Sequence, residues 1–361
     1  MKKTIALMAS LMMGAVMFFG CSANTKETSS DQTQQETQAP AEQEQQPGAE
    51  NETVNGVTSE NTNEVAGETY NIGIMQHADH PALDKAREGF LNALKEKNIN
   101  FVVDYQNAQG NIQNLTAIAS TFANNKVDLI FAIATDSVQV AYNETKEIPI
   151  LFTAVTDPVD AGLVASLERP GRNVTGTSDM NPIDQQLALI RQIQPEAKVL
   201  GVIYNTGEPN SVVQVTRLKK LAPAMGFEIK ESVCVDASDV FQSATNLVGK
   251  VDGIYLPTDN TIISNLDTIT KVCIENKIPL YPSESDALRR GGVASMSVSY
   301  YELGRQTGAM AARILTESAK TETMPVEGMK KAALVINLGI AEKMGVTIPQ
   351  AVLDNADEII R

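Results

Sequence analysis

Two loops of the chain carry a Thr-Asp pair directly after a short apolar run, one at Thr135 and Asp136 and the other ending at Asp259. Hydroxyls and free backbone N–H groups at the start of a helix can receive a carboxylate, so we expect Thr135 or Ser137 to do so. An acidic side chain can hold an ammonium group, a role we assign to Asp259 with Asn260 as a neutral neighbour. The alternative is that Asp136 and Asp259 serve only as helix N-caps, the commonest use of Asp at such positions.

Polar residues that follow other apolar runs are further candidates for contacting a ligand. They are His80, Thr153, Thr156, Asp157, Glu208, Asn210, Ser211, Ser283 and Glu284. Asn210 and Ser211 can equally cap the helix that follows them. No metal site is expected, because His77 and His80 lie three residues apart on a loop without a third ligand.

Motifs for catalysis and for cofactor binding are missing from the sequence. It contains no Gly-x-Ser-x-Gly, no Gly-x-Gly-x-x-Gly and no phosphate-binding Gly-x-x-x-x-Gly-Lys-[Ser/Thr]. We therefore expect neither an enzyme nor a cofactor. Cys234 and Cys273 are predicted to be buried thiols.

The elements that must position these residues alternate between apolar strands and helical patterns along 70–361. This alternation predicts an α/β fold with parallel sheets covered on both faces. The sequence KVD, then TD, then IP occurs in the same order at 126–149 and 250–279, so the chain is predicted to contain two Rossmann-like lobes. Ligands of such sheets bind outside the carboxyl ends of the strands, so the two Thr-Asp loops should face a shared cleft.

The amino terminus carries a targeting pattern. Two Lys precede an apolar run at 5–19 that is too short for a permanent membrane span, which predicts a cleaved signal peptide at 1–20. Cys21 follows Gly20 as in a lipobox, and we predict that Cys21 is lipidated. Residues 22–69 contain ten acids, one base and no Leu, Ile, Met or aromatic residue, which predicts a disordered tether over 21–69.

Several sequence blocks together resemble the substrate-binding lipoproteins of ABC transporters of the tryptophan/tyrosine type. The blocks are DHPALD (79–84), DYQNAQG (104–110), IPILFTAVTDP (148–158), NVTG (173–176), GVIYN (201–205), EPNS (208–211) and PTDN (257–260). The resemblance spans about 72–349. It implies an aromatic amino acid as ligand, and a zwitterion of this kind requires the carboxylate and ammonium partners assigned above together with an apolar wall.

The resemblance also implies a type I periplasmic-binding-protein fold, with two lobes joined by a hinge of three crossover strands. We expect lobe 1 to contain 70–177 and 299–335, and lobe 2 to contain 178–298 and 336–361. The crossings are placed near 176–180, 296–300 and 335–339. The implied partners are an ABC permease and its ATPase, and the implied location is extracytoplasmic, with the protein held to the membrane by its lipid.

Two other functions remain open at this stage. One is a binding protein for a sugar or nucleoside, or a ligand sensor for a membrane partner; the other is an extracytoplasmic enzyme on the same scaffold. A formal charge of −15 over 361 residues repels phosphate backbones, which argues against nucleic acid as a partner.

Overall fold

The computed structural model describes residues 52–55 and 68–361. The strands are β1 (Glu52–Asn55), β2 (Thr69–Gln76), β3 (Asn100–Asn107), β4 (Leu129–Ile133), β5 (Ile150–Val155), β6 (Val174–Ser178), β7 (Val199–Asn205), β8 (Glu228–Cys234), β9 (Gly253–Leu256), β10 (Leu280–Pro282), β11 (Ala294–Ser297), β12 (Glu327–Gly328), β13 (Ala333–Asn337) and β14 (Glu358–Ile360).

The helices are α1 (Pro81–Glu96), α2 (Ile112–Asn125), α3 (Thr135–Glu144), α4 (Ile183–Ile193), α5 (Pro209–Leu221), α6 (Val240–Thr245), α7 (Asn260–Ser264), α8 (Leu266–Asn276), α9 (Ser285–Gly291), α10 (Tyr300–Glu317), α11 (Leu338–Lys343) and α12 (Gln350–Leu353). Short 3₁₀ turns lie at Ala222–Met225 and Ala237–Asp239.

Lobe 1 is built on a seven-stranded sheet in the order β1-β3-β2-β4-β5-β6-β12. All its strand pairs are parallel except β1 with β3. Every residue of β4 and β5 is buried, because helices cover both faces of the sheet. Alternate residues of β4 pack on opposite faces: Phe131 lies in the cluster with α1 and α10, and Ile130 lies in the cluster with α2 and α3.

Lobe 2 contains a four-stranded parallel sheet in the order β10-β9-β7-β8 and a three-stranded sheet in the order β11-β13-β14. One apolar cluster joins the two sheets and includes Tyr255, Tyr281, Leu334 and Ile336. The predicted α/β class with parallel sheets is therefore confirmed.

Three connections cross between the lobes. Residues 179–182 lead from β6 to α4, residues 298–299 lead from β11 to α10, and residues 329–332 lead from β12 to β13. The third crossing lies earlier than the predicted 335–339, since β13 pairs with β11 and packs into the lobe 2 cluster. The apolar pattern of 333–337 marks a strand without indicating which lobe it joins.

Two further predictions differ from the structure. Four residues assigned to the tether, Glu52–Asn55, form β1 against β3, so the tether does not extend over them. The apolar pattern over 260–276 predicts one helix, but the structure divides it at Asn265, where α7 ends and α8 begins. The signal peptide and Cys21 lie outside the described residues.

Three absences hold for the described part of the chain. No helix there is long and apolar enough to span a membrane. Within the same ranges, no group of three or more His, Cys, Asp and Glu side chains is arranged to hold a metal ion. Cys234 and Cys273 are both buried and free, as predicted.

Candidate ligand-binding site

A small cavity lies between the lobes at the carboxyl ends of their strands. Its lining residues are His80, Leu83, Ala154, Asp179, Asn210, Thr258, Asn260, Glu284 and Tyr300. In lobe 1 they come from the β2–α1 loop, the first turn of α1, strand β5 and the residue after β6. In lobe 2 they come from the first turn of α5, the β9–α7 loop with the first residue of α7, and the β10–α9 loop, and Tyr300 begins α10. The cavity has a volume of about 10 Å³, room for one water, so the lobes must separate to admit a larger molecule.

The start of α3 presents unused hydrogen-bonding groups. Thr135 and Ser137 are buried, and their hydroxyl oxygens have no partner among the described residues. The N-cap residue is Ala134, which cannot cap with its side chain, so Asp136 is not the N-cap that one alternative expected. Ala134 has φ of 81°, a strained backbone for a residue with a side chain, and such strain concentrates at functional sites.

His77 stands beside this helix start. Its Nδ1 lies 3.7 Å from Asp136 Oδ2, and the imidazole is buried. Burial raises the pKa of Asp136, while His77 opposes that rise and Glu208 of lobe 2 adds to it. Asp136 of lobe 1 therefore lies close enough to Glu208 of lobe 2 for their charges to interact.

Glu208 is tied to the start of α7 by four hydrogen bonds. Its Oε2 accepts from the backbone and side-chain nitrogens of Asn260, both at 2.8 Å. Its Oε1 accepts from Thr261 N at 2.9 Å and Thr261 Oγ1 at 2.8 Å. Burial alone would raise the pKa of Glu208, but these bonds hold it below its usual range, so Glu208 is a buried carboxylate.

Asp259 makes the contacts of a helix cap. Its Oδ1 accepts from Ile262 N at 2.9 Å, and its Oδ2 accepts from Asn205 N at 2.6 Å. The side chain is fully buried, and burial together with the nearby Glu208 raises its pKa well above the usual value. Both oxygens are therefore engaged by backbone, which corresponds to the alternative of Asp259 as an N-cap.

A His and a Glu meet across the cleft from opposite lobes. His80 caps α1 by accepting from Ala82 N at Nδ1, and its Nε2 lies 3.6 Å from Glu284 Oε1. Burial lowers the pKa of His80 to about 4 and raises the pKa of Glu284 to about 8. Both groups are consequently uncharged near neutral pH. Glu284 Oε1 has no hydrogen-bond partner in the described part of the chain.

Asp179 lies on the first crossing and holds the start of α10. Its Oδ2 accepts from the Tyr300 hydroxyl at 2.6 Å, and its Oδ1 has no partner within the described ranges. Burial raises the pKa of Asp179, and the hydrogen bond from Tyr300 counters that rise. Asp179 and Glu284 thus each offer a buried acceptor oxygen at the cavity.

Four of the predicted contact residues form hydrogen bonds within the protein. Thr153 Oγ1 accepts from Thr177 Oγ1, and Ser283 Oγ donates to Leu256 O. Asp157 Oδ1 accepts from two backbone N–H groups of its own turn. Ser211 Oγ lies 3.4 Å from Asn210 Nδ2, beside the carboxylates of Glu208 and Asp259.

Ala154, Asp179, Thr258 and Tyr300 also line the cavity and were not predicted from the sequence. Glu284, predicted with Ser283 from the end of the same strand, lines the cavity. Asp179 lies on the first crossing between the lobes and Tyr300 directly follows the second. The sequence does not show that these two crossings lie side by side in the fold.

The chain belongs to the family described as ABC transporter substrate binding protein, whose model matches residues 71–360. A curated relative, a tyrosine-binding protein of Clostridioides difficile strain R20291, is 40% identical over 340 residues, 93% of this chain and 90% of its own length. These matches confirm the family indicated by the sequence blocks.

Two solved structures are similar over 81% of this chain. One is an ABC domain from Streptococcus pneumoniae in complex with L-Trp, with 34% identity, a TM-score of 0.79 and full coverage of that chain. The other is the ligand-free, open structure of a substrate-binding protein with adhesive properties from Clostridium difficile, with 43% identity, a TM-score of 0.64 and 99% coverage of that chain. The L-Trp complex has the lower sequence identity to this chain but the higher TM-score. The arrangement of the two lobes here is therefore closer to that of the L-Trp complex than to that of the open structure.

A more distant structure supports the fold alone. A glucose-galactose binding protein from Geobacillus stearothermophilus is 16% identical, with a TM-score of 0.57 over 74% of this chain and 98% of its own. The expected periplasmic-binding-protein architecture is confirmed by this likeness together with the two-lobed topology.

Proposed function

We propose that this protein is an extracytoplasmic, lipid-anchored receptor that captures an aromatic amino acid between its lobes and delivers it to an ABC permease and its ATPase. Membership of the substrate-binding family supports the transport role. The tyrosine-binding relative and the L-Trp complex support the class of ligand.

The observation that carries the ligand assignment is the pair of unpartnered hydroxyls at the start of α3. Thr135 Oγ1 and Ser137 Oγ are buried beside a helix N-terminus whose cap supplies no side-chain bond. A carboxylate satisfies both hydroxyls and the exposed N–H groups, and the helix dipole favours its negative charge.

The ammonium group requires an acidic acceptor on the cavity. Asp179 Oδ1 and Glu284 Oε1 are the cavity-lining carboxyl oxygens that have no partner in the described residues. Both oxygens of Asp259 are already held by backbone N–H groups. We therefore assign the ammonium to Asp179 and Glu284, with Asp259 shaping the loop. The positive charge of the ammonium favours the ionised form of Glu284, so Glu284 releases its proton when the ligand binds. Leu83, Ala154 and the ring of Tyr300 supply apolar surface for an aromatic side chain.

Removal of the two hydroxyls tests the assignment. We expect Ser137→Ala and Thr135→Val each to weaken L-tyrosine binding by about 10-fold to 100-fold, because each removes a hydrogen bond to a charged group. The control is Thr116→Val, since Thr116 is exposed and its Oγ1 already donates to Ile112 O within α2. Unchanged affinity in both cleft variants would contradict the assignment. Failure of the wild type to bind any aromatic amino acid would contradict the proposed function.

The lipid anchor is proposed from the sequence alone. A diacylated Cys21 would provide the two acyl chains that stable anchoring requires. Intact-mass measurement of membrane-extracted protein should give a chain that begins at Cys21 and carries acyl mass. A soluble chain cut elsewhere and lacking acyl mass would contradict this proposal.

A further inference from the structure

A second, larger pocket of about 860 Å³ lies at the hinge. Its lining includes residues at or beside all three crossings: Asn181 near the first, Met296 near the second, and Met329 and Lys330 on the third. The hinge pocket and the cavity between the lobes have no lining residue in common. Ser178 and Met180 line the hinge pocket, whereas Asp179 between them lines the cavity. Its volume is within the range of pockets that bind small molecules.

Asn181 provides the strongest sign of a ligand in this pocket. Its side chain is only 3% exposed, yet neither Oδ1 nor Nδ2 has a hydrogen-bond partner among the described residues. A buried amide left without partners costs free energy, so the pocket favours a molecule that offers both an acceptor and a donor.

The first turn of α4 adds a place for negative charge. Pro182 is the N-cap and makes no side-chain cap bond, and the turn that contains Asp184 and Gln185 lines the pocket. Arg217 and Lys330 also line it, and neither forms an ion pair within the described part of the chain. A carboxylate at the helix start is favoured by the N–H groups and by these cations.

The rest of the lining suits an apolar group and a positive charge. Met180, Met296 and Met329 provide adaptable apolar surface, and the Asp184 carboxylate lies in the first turn of α4. Asn181 Oδ1 can accept from an ammonium, while Asn181 Nδ2 donates to a carboxylate.

We propose that the hinge pocket is a second binding site that takes a free α-amino acid with an apolar side chain and is distinct from the cleft between the lobes. The basis is the buried, unpartnered Asn181 amide beside the α4 N-terminus and the methionine wall. Because residues near all three crossings line the pocket, its shape changes with the hinge angle, so occupancy is thermodynamically coupled to lobe closure.

Methyl NMR of the protein labelled at its methionine methyl groups tests the proposal with L-leucine as the probe. We expect L-leucine to shift the methyl signals of Met180, Met296 and Met329 in a saturable manner. 4-Methylpentanoate, which lacks the ammonium, and 3-methylbutylamine, which lacks the carboxylate, should each bind at least about tenfold more weakly. Equal binding of all three compounds would overturn the zwitterion assignment.

Two variants locate the site. Asn181→Leu removes both amide groups at similar volume and should weaken L-leucine binding at least about tenfold, with folding checked by thermal unfolding. Arg217→Gln changes an exposed side chain and should weaken binding about threefold to tenfold without a risk to the core. Unchanged methionine shifts in both variants, or shifts that disappear in Ser137→Ala, would overturn the proposal. The latter result would mean that L-leucine binds only in the cleft.

Discussion

Glu284 makes the unliganded protein sensitive to pH, because burial, then Asp286 and Asp179, raise its pKa to about 8. A carboxyl group whose pKa is raised on folding contributes stability that is present below its unfolded pKa, near pH 4.5, and lost as pH rises through 8. Glu284→Gln is neutral at every pH. We expect its Tm to rise relative to wild type by about 2–5 °C between pH 5 and pH 8.5 in thermal unfolding.

The control for this experiment is Glu342→Gln on the exposed surface of α11, which should show the same offset from wild type at both pH values. A pH-independent offset for Glu284→Gln would contradict the account of a buried, protonated carboxyl.

Asp259→Asn distinguishes a helix cap from an ammonium ligand. Asn has one acceptor oxygen, so either Asn205 N or Ile262 N loses its partner, and we expect a loss of about 1–3 kcal/mol in the free energy of unfolding. Affinity for L-tyrosine should change less than about threefold if Asp179 and Glu284 hold the ammonium. A loss of about 30-fold or more in calorimetry would return that role to Asp259.

Asp157→Asn is the matched control for chemical unfolding. Asp157 uses only Oδ1 to accept from two backbone N–H groups, and Asn retains that oxygen. Its stability should therefore equal that of the wild type.

At the scale of residues, the sequence could predict site residues that directly follow strands. It could not predict site residues that lie where the chain crosses from one lobe to the other. Asn210 and Asn260 were selected because they follow apolar runs, and both line the cavity. Asp179 and Tyr300 are 121 positions apart, and only the packing of α10 joins them. Both oxygens of Asp259 accept from backbone N–H groups, those of Asn205 and Ile262. The positions of these N–H groups cannot be predicted from the spacing of residues in the sequence.

At the scale of elements, close packing of α1 on α10 positions two cavity residues, because His80 caps α1 and Tyr300 begins α10. Gly304 permits this approach, since a Cβ there would overlap the carbonyl of Ala86. We expect Gly304→Ala to separate the helices and lower the free energy of unfolding by about 2 kcal/mol or more, as overpacking does. Chemical unfolding measures the loss.

Gly339→Ala is the control, because a Cβ at Gly339 meets only ordinary contacts and the residue lies in helix α11. This change should leave the protein as stable as the wild type or slightly more stable. Equal stabilities for Gly304→Ala and Gly339→Ala would contradict the role of the close helix contact.

The elements themselves were largely predictable, because buried parallel strands are uniformly apolar and the helices between them have a 3.6-residue period. The break at Asn265 was not, since the apolar spacing continues through it from α7 into α8. The position of β13 also required the structure, because its pairing with β11 and β14 assigns it to lobe 2.

At the scale of the whole molecule, three crossings and a cleft predict opening and closing about a hinge. The cavity holds about one water, so the arrangement described here is closed. We expect small-angle scattering to give a larger radius of gyration without ligand than at saturation with L-tyrosine. An identical radius under both conditions would contradict closure on the ligand.

The central claim is that an aromatic amino acid binds between the lobes. Isothermal titration calorimetry of the 22–361 chain, which keeps β1 and all of β2, against L-tyrosine, L-tryptophan, L-phenylalanine, L-leucine, glucose and adenosine tests it most directly. The account predicts one cleft site that binds an aromatic amino acid more tightly than L-leucine, with affinity reduced in Ser137→Ala. Binding of glucose or adenosine, with no binding of an aromatic amino acid that depends on Ser137, would contradict it.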